Sequence, residues 1–171
     1  MKRIFLWIIC ILFCLTIAGC QKSYQKEINE EINEIYFYHS GFGQRFPEYK
    51  INLQNKEFWK YTTGAGFDYV ERDVLSENEG YSFVSNLDDE NIAIFLRESA
   101  RYGLTRWKET YMNNNVLDGH QWGITITFAD GTSLTSNGSN KYPETWDKMY
   151  DAFINLTGED ILLFKRDWLN K

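Results

Sequence analysis

Trp122, Ile124, Ile126 and Phe128 alternate with Gly123, Thr125 and Thr127, and the run ends in Ala129-Asp130-Gly131-Thr132. A period of two sends successive side chains to opposite faces of a pleated strand, so the four large residues share one face. Asp-Gly at the end of such a run is a turn signal, and residues 133–136 are expected to return as a second strand. Each large residue contributes roughly 1.5–3 kcal/mol when fully buried, which puts this strand at the centre of the core. A chain carrying this segment must build a sheet and cover one face of it.

Further strands are legible on either side. Tyr49, Ile51 and Leu53 alternate with Lys50, Asn52 and Gln54, and Phe58, Trp59 and Tyr61 follow in residues 57–63, with Asn55-Lys56 as the link of a hairpin. Residues 34–39 and 67–74 are expected as additional strands, and residues 161–164 as an edge strand or a short helix. Two helices complete the pattern. Asp88-Asp89-Glu90 supplies a cap and dipole-favoured carboxylates, Ile92, Phe95, Leu96, Ser99 and Ala100 form an inward stripe, and Gly103 ends the helix. The second helix is predicted to begin at Pro143, to carry Trp146, Met149, Tyr150, Phe153 and Ile154 inward, and to stop at Thr157-Gly158. The expected fold class is α+β: an antiparallel β-sheet with two helices packed on one face.

The start of the chain has a different character. Met1-Lys2-Arg3 is cationic, residues 4–17 are an almost unbroken apolar run of 14, and Ala18-Gly19-Cys20 closes it. Such a run engages the export machinery but falls short of the roughly 20 residues that span a bilayer as a helix. Ile17-Ala18-Gly19-Cys20 resembles the lipobox of a bacterial lipoprotein signal peptide. That resemblance implies cleavage before Cys20, acylation of its thiol, and a protein held by lipid on the extracytoplasmic face of a cell membrane. At about 0.8 kcal/mol per buried methylene, two or three acyl chains make such an anchor lasting. The alternatives for this segment are an uncleaved signal anchor and an ordinary secretory signal. The expected organisation is a signal peptide over residues 1–19, the lipidated Cys20 with a polar tether over residues 20–33, and a single globular domain over residues 34–171. Ile28 and Ile32 of the tether, with Ile35 just after it, also have the spacing of one helical face.

Charge and cysteine usage exclude several classes. Without Lys2 and Arg3, 16 basic residues face 24 acidic ones, a formal charge near −8. An acidic domain with scattered cations is a poor partner for nucleic acid. Cys10 and Cys14 lie in the signal and Cys20 is the acylation site, so residues 21–171 hold no thiol for a disulfide, a nucleophile or a Cys-ligated metal. His39 and His120 are the only histidines, too few for a three-histidine zinc site. Asp118-Gly119 and Asp130-Gly131 lack the alternating ligands of a calcium loop and read as turns. The motifs GxSxG and GxxxxGK[ST] are absent from the sequence. No cofactor or metal is expected.

Two sets of residues remain as candidate ligand contacts. Ser136, Asn137, Gly138, Ser139 and Asn140 are small and polar and precede a helix, where exposed amides bind anions and equally make turns and caps. Mature residues include 26 of the chain's 29 aromatics. Among them Trp59, Tyr61, Trp107 and Tyr111 are candidates for an exposed surface that binds a protein or an envelope glycan. The run from Asp118-Gly119 through Trp122, Phe128, Asp130-Gly131 and residues 136–140 to Tyr142-Pro143 and Trp146 resembles a pattern in small bacterial exported proteins of unknown function, which implies one folded unit. The expected function is therefore a membrane-anchored extracytoplasmic lipoprotein with a non-catalytic binding or structural role in the envelope. A small envelope hydrolase, with a site assembled only by the fold, and an immunity or inhibitor protein are the rivals.

Overall fold

A computed structural model describes residues 32–41, 44–45, 48–61, 81–116 and 119–162. Cys20, the expected strand over residues 67–74 and the end of the chain after Leu162 lie outside them. The elements are β1 (Ile32–Gly41), β2 (Gln44–Arg45), β3 (Glu48–Asn52), β4 (Glu57–Tyr61), β5 (Tyr81–Asn86), α1 (Asp89–Tyr102), β6 (Thr110–Met112), β7 (His120–Phe128), β8 (Ser133–Ser139) and α2 (Trp146–Thr157), with a 3-10 turn at Leu104–Arg106. The strands form one sheet in the order β5-β4-β3-β1-β7-β8-β6, with β2 paired to the end of β1. Every pairing is antiparallel except β6 with β8, which is parallel.

The long strands β1 and β7 pair from Ile32 opposite Phe128 to Gly41 opposite His120 and form the spine. Their inward side chains Ile35, Phe37, Trp122, Ile124 and Ile126 are buried, as are Tyr49, Ile51 and Phe58 from β3 and β4. Both helices bury their stripes in this cluster: Phe95 and Ser99 from α1, and Trp146, Met149, Ala152, Phe153 and Leu156 from α2. Phe153 touches Phe37 and Phe95 with ring centroids 6.4 and 4.9 Å apart. The domain is thus α+β, with a mostly antiparallel sheet and two helices on one of its faces.

Three local details differ from expectation. Ile32 belongs to β1 rather than to a tether or helix and joins Ile35 of the strand expected over residues 34–39, and a register shift between Ile32 and Glu34 inserts Asn33 as an extra residue. That bulge turns both isoleucines to the core, and so a strand acquires the three-residue spacing of a helix. The turn of the β3–β4 hairpin spans residues 53–56, with Asn52 Oδ1 accepting from the Asn55 amide (2.7 Å) and Lys56 at φ 59°. Finally, α2 starts three residues after Pro143, whose carbonyl accepts from the Trp146 amide (3.1 Å) in a separate turn. At the far end Ile161 and Leu162 form a buried turn.

Candidate functional site

β6 is the edge strand beside β8, and the chain on either side of it walls a groove. Its volume is about 480 Å³, within the roughly 300–1,000 Å³ of small-molecule sites. Trp107, Tyr111 and Tyr142 are its half-buried aromatic walls; Arg106, Lys108, Lys141 and Glu144 stand exposed at its rim. Trp107 also borders a second cleft of about 390 Å³ that reaches Glu109, Leu134 and Thr135.

Each aromatic wall is pinned at its polar end. Trp107 Nε1 donates to Thr145 Oγ1 (3.0 Å), so this hydroxyl serves the groove and does not cap α2. The Lys108 amide donates to Tyr111 Oη (3.0 Å). The Tyr142 hydroxyl reaches His120 Nδ1 (2.8 Å). Behind the walls the rings pile up: Trp107 stacks on Trp146 at 5.7 Å and meets Trp122 edge-on at 5.8 Å, while Tyr142 lies 4.9 Å from Trp146. Stacked and edge-on pairs of this kind add stability beyond their area and leave the walls few alternative rotamers.

Under Tyr142 runs a buried polar relay. His39 Nδ1 lies 2.6 Å from His120 Nε2, and His39 Nε2 lies 2.5 Å from the Ile161 carbonyl. A carbonyl oxygen only accepts, so His39 Nε2 carries hydrogen and Nδ1 is left to accept. His120 Nε2–H then donates to His39, and His120 Nδ1 accepts from Tyr142. Both imidazoles are neutral in this arrangement. Burial lowers His39 to about 3, helped by the charge His120 would carry, and burial alone lowers His120 to about 4. Burial also holds the Tyr142 hydroxyl above its ordinary value.

The candidate residues occupy three places. Trp107 and Tyr111 line the groove. Trp59 and Tyr61 lie on the opposite face of the sheet, separated from β6 by four strands, or roughly 24 Å at the usual interstrand spacing. There Trp59 packs edge-on against Phe83 at 5.3 Å and Tyr61 lies 5.5 Å from Tyr81. The third set, Ser136 to Asn140, is a correction to the turn or amide cradle expected from sequence. Ser136, Asn137, Gly138 and Ser139 belong to β8, where the Asn137 amide donates to Glu109 O (2.9 Å); after the strand the Asn140 amide donates to His120 O (2.9 Å). Their side chains brace the groove from behind. Ser136 Oγ donates to Lys108 O (2.6 Å), Asn137 Oδ1 accepts from the Tyr38 hydroxyl (3.1 Å), and Asn140 Oδ1 accepts from the His120 amide (2.9 Å).

Sequence reasoning missed Tyr142, the rim cations and the histidine relay. One signal was present: His39 shares the inward parity of Ile35 and Phe37, and His120 that of Trp122 and Ile124. Two polar residues on the core-facing parity of two strands must find partners, and here they find each other. No protein-family model, curated protein or solved structure matches this chain.

Among the described residues, no group of three or more His, Cys, Asp or Glu side chains is placed to hold a metal ion. All four imidazole nitrogens are engaged within the relay, which meets the groove at the Tyr142 hydroxyl.

Proposed function

We propose that this chain is a lipid-anchored protein of the extracytoplasmic membrane face with a non-catalytic binding role in the cell envelope, and that the groove of Trp107, Tyr111 and Tyr142 is its recognition surface. The anchoring half of the reading rests on Ile17-Ala18-Gly19-Cys20. The binding half rests on one observation: three half-buried aromatic side chains converge on an open groove, and each is fixed by a hydrogen bond at its polar tip. Walls fixed in advance lose little conformational entropy when a ligand arrives. For the hydrolase reading the relay offers only a weak base, because burial lowers His120 to about 4.

The two halves are tested separately. Mass spectrometry of the cell-derived protein should find acylated Cys20 as the first residue, and Cys20→Ser should move the protein out of the membrane fraction. An intact Met1 with a free Cys20 thiol overturns the anchor. For the groove, the full chain is used to isolate bound envelope glycan or protein, beside a Tyr111→Ala variant whose folding is checked by circular dichroism. Loss of a reproducible ligand in the folded variant supports the groove, and undiminished capture overturns it.

A further inference from the structure

We infer that the groove takes an acidic sugar: a pyranose ring bearing a carboxylate, its apolar ring face against the aromatic walls and its charge toward Lys108 and Lys141. This inference rests on the binding role proposed above and supplies its ligand class.

The first ground is a local inversion of charge. In the mature chain 24 acidic residues face 16 basic ones, yet the groove is lined by three cations, Arg106, Lys108 and Lys141, and one carboxylate, Glu144. Lys108 and Lys141 are exposed and form no ion pair among the described residues, whereas Lys50, Lys56 and Lys60 each meet a carboxylate within 3.2 Å. Acidic surroundings around a cationic spot steer an anion to that spot and repel it elsewhere.

The second ground is the shape and chemistry of the walls. Trp107, Tyr111 and Tyr142 line the groove, and their polar tips are already engaged with Thr145, the Lys108 amide and His120. A bare inorganic anion would gain nothing from those surfaces, and a purely apolar ligand would leave the lysines idle. A sugar offers both an apolar C–H face and an ionised group. Nearby polar side chains suit its hydroxyls: Thr110 lines the groove, and Asn113, Asn114 and Asn115 continue past Met112 toward Lys141. Aromatic walls, a cationic rim and adjacent amides together suit an acidic carbohydrate better than a free anion or a purely apolar ligand.

The test uses the full chain in a detergent without a sugar headgroup, with Trp fluorescence as readout because Trp107 is a wall of the site. The probe is a glucuronate-containing tetrasaccharide, set against the same tetrasaccharide with its carboxyls reduced to alcohols, and against glucuronate and acetate alone. The intact tetrasaccharide is expected to bind saturably and the reduced one about tenfold more weakly, the effect of losing two partly exposed ion pairs. Lys108→Gln with Lys141→Gln should weaken binding of the acidic probe by a similar factor, reduce its salt dependence and leave the reduced probe unaffected. Equal binding of the two tetrasaccharides overturns the role of the lysines, and binding of acetate as strong as that of the sugars overturns the role of the walls. Should no sugar bind while envelope capture still depends on Tyr111, the ligand class is wrong and the binding role stands. Should capture also be independent of Tyr111, both fall.

Discussion

At the scale of single residues, the position that constrains the groove most is one with no side chain. A Cβ built on Gly138 would lie 2.1 Å from Trp122 Nε1 and 2.6 Å from the Lys141 carbonyl. Glycine there lets the Trp122 indole donate to Lys141 O (3.0 Å), a bond that ties the wall-bearing segment to the core. The extra methyl in Gly138→Ala has backbone on one side and a fully buried indole on the other, so it forces the two apart. Overpacking of this kind costs about 1–3 kcal/mol. Urea unfolding should show that loss, and a midpoint like that of the unaltered protein would refute the close approach. Ser99 presents the opposite case. Its hydroxyl is buried on α1 with no hydrogen-bond partner among the described residues. Removing an unsatisfied hydroxyl relieves a desolvation penalty of about 1–3 kcal/mol, offset in part by the small cavity it leaves. Ser99→Ala should therefore raise the thermal midpoint, and a fall would mean that the hydroxyl has a partner.

Elements were legible wherever local chemistry and burial agree. α1 begins where Asp88 accepts from the Glu90 and Asn91 amides (2.8 and 3.3 Å) and ends at Gly103, φ 67°, both positions evident from residue type. Loss of that cap in Asp88→Ala should cost about 1 kcal/mol, measurable as a lower urea midpoint with an unchanged slope; no change would mean the carboxylate is not the cap. The β7–β8 hairpin was equally plain, with Gly131 at φ 83° and the Thr132 amide donating to Asp130 Oδ1 (2.9 Å). Elements were misread where a tertiary partner overrides the local signal. The bulge at Asn33 disguises a strand as a helix face, and only pairing with Phe128 and Thr127 reveals it. Ser136 to Ser139 have poor strand propensity, yet β7 on one side and β6 on the other hold them in the ladder. Trp107 and Tyr111 could be picked out as aromatic, but not that they meet Tyr142, more than thirty positions along the chain. That meeting depends on β6 adding in parallel to β8, a pairing with no turn between the strands to announce it.

At the scale of the whole molecule, the relay couples the groove to the far end of the described chain. Tyr142 is a groove wall, His120 and His39 cross β7 and β1, and Ile161 lies beyond α2, so a change in the charge of the relay acts on all of these at once. Both imidazoles are neutral in the folded state, with values near 4 and 3, whereas the unfolded chain titrates near 6.5. Above pH 7 neither state binds these protons and stability does not depend on them. As pH falls below 6.5 the unfolded chain takes them up and the folded one does not, so the unfolded state gains. The loss continues until the folded pair itself titrates near pH 4 to 3. For His39 alone, which is 4% exposed, the change from pH 7 to pH 5 is about 2 kcal/mol, and His120, closer to solvent, adds less. Urea midpoints should fall steeply over those two pH units. His39→Gln supplies an amide that can donate to Ile161 O and a carbonyl that can accept from His120, without a proton to take up. In that variant the fall from pH 7 to pH 5 should shrink by about half or more. A variant with an undiminished slope would place the acid sensitivity in the carboxylates and leave the relay a purely structural brace for Tyr142.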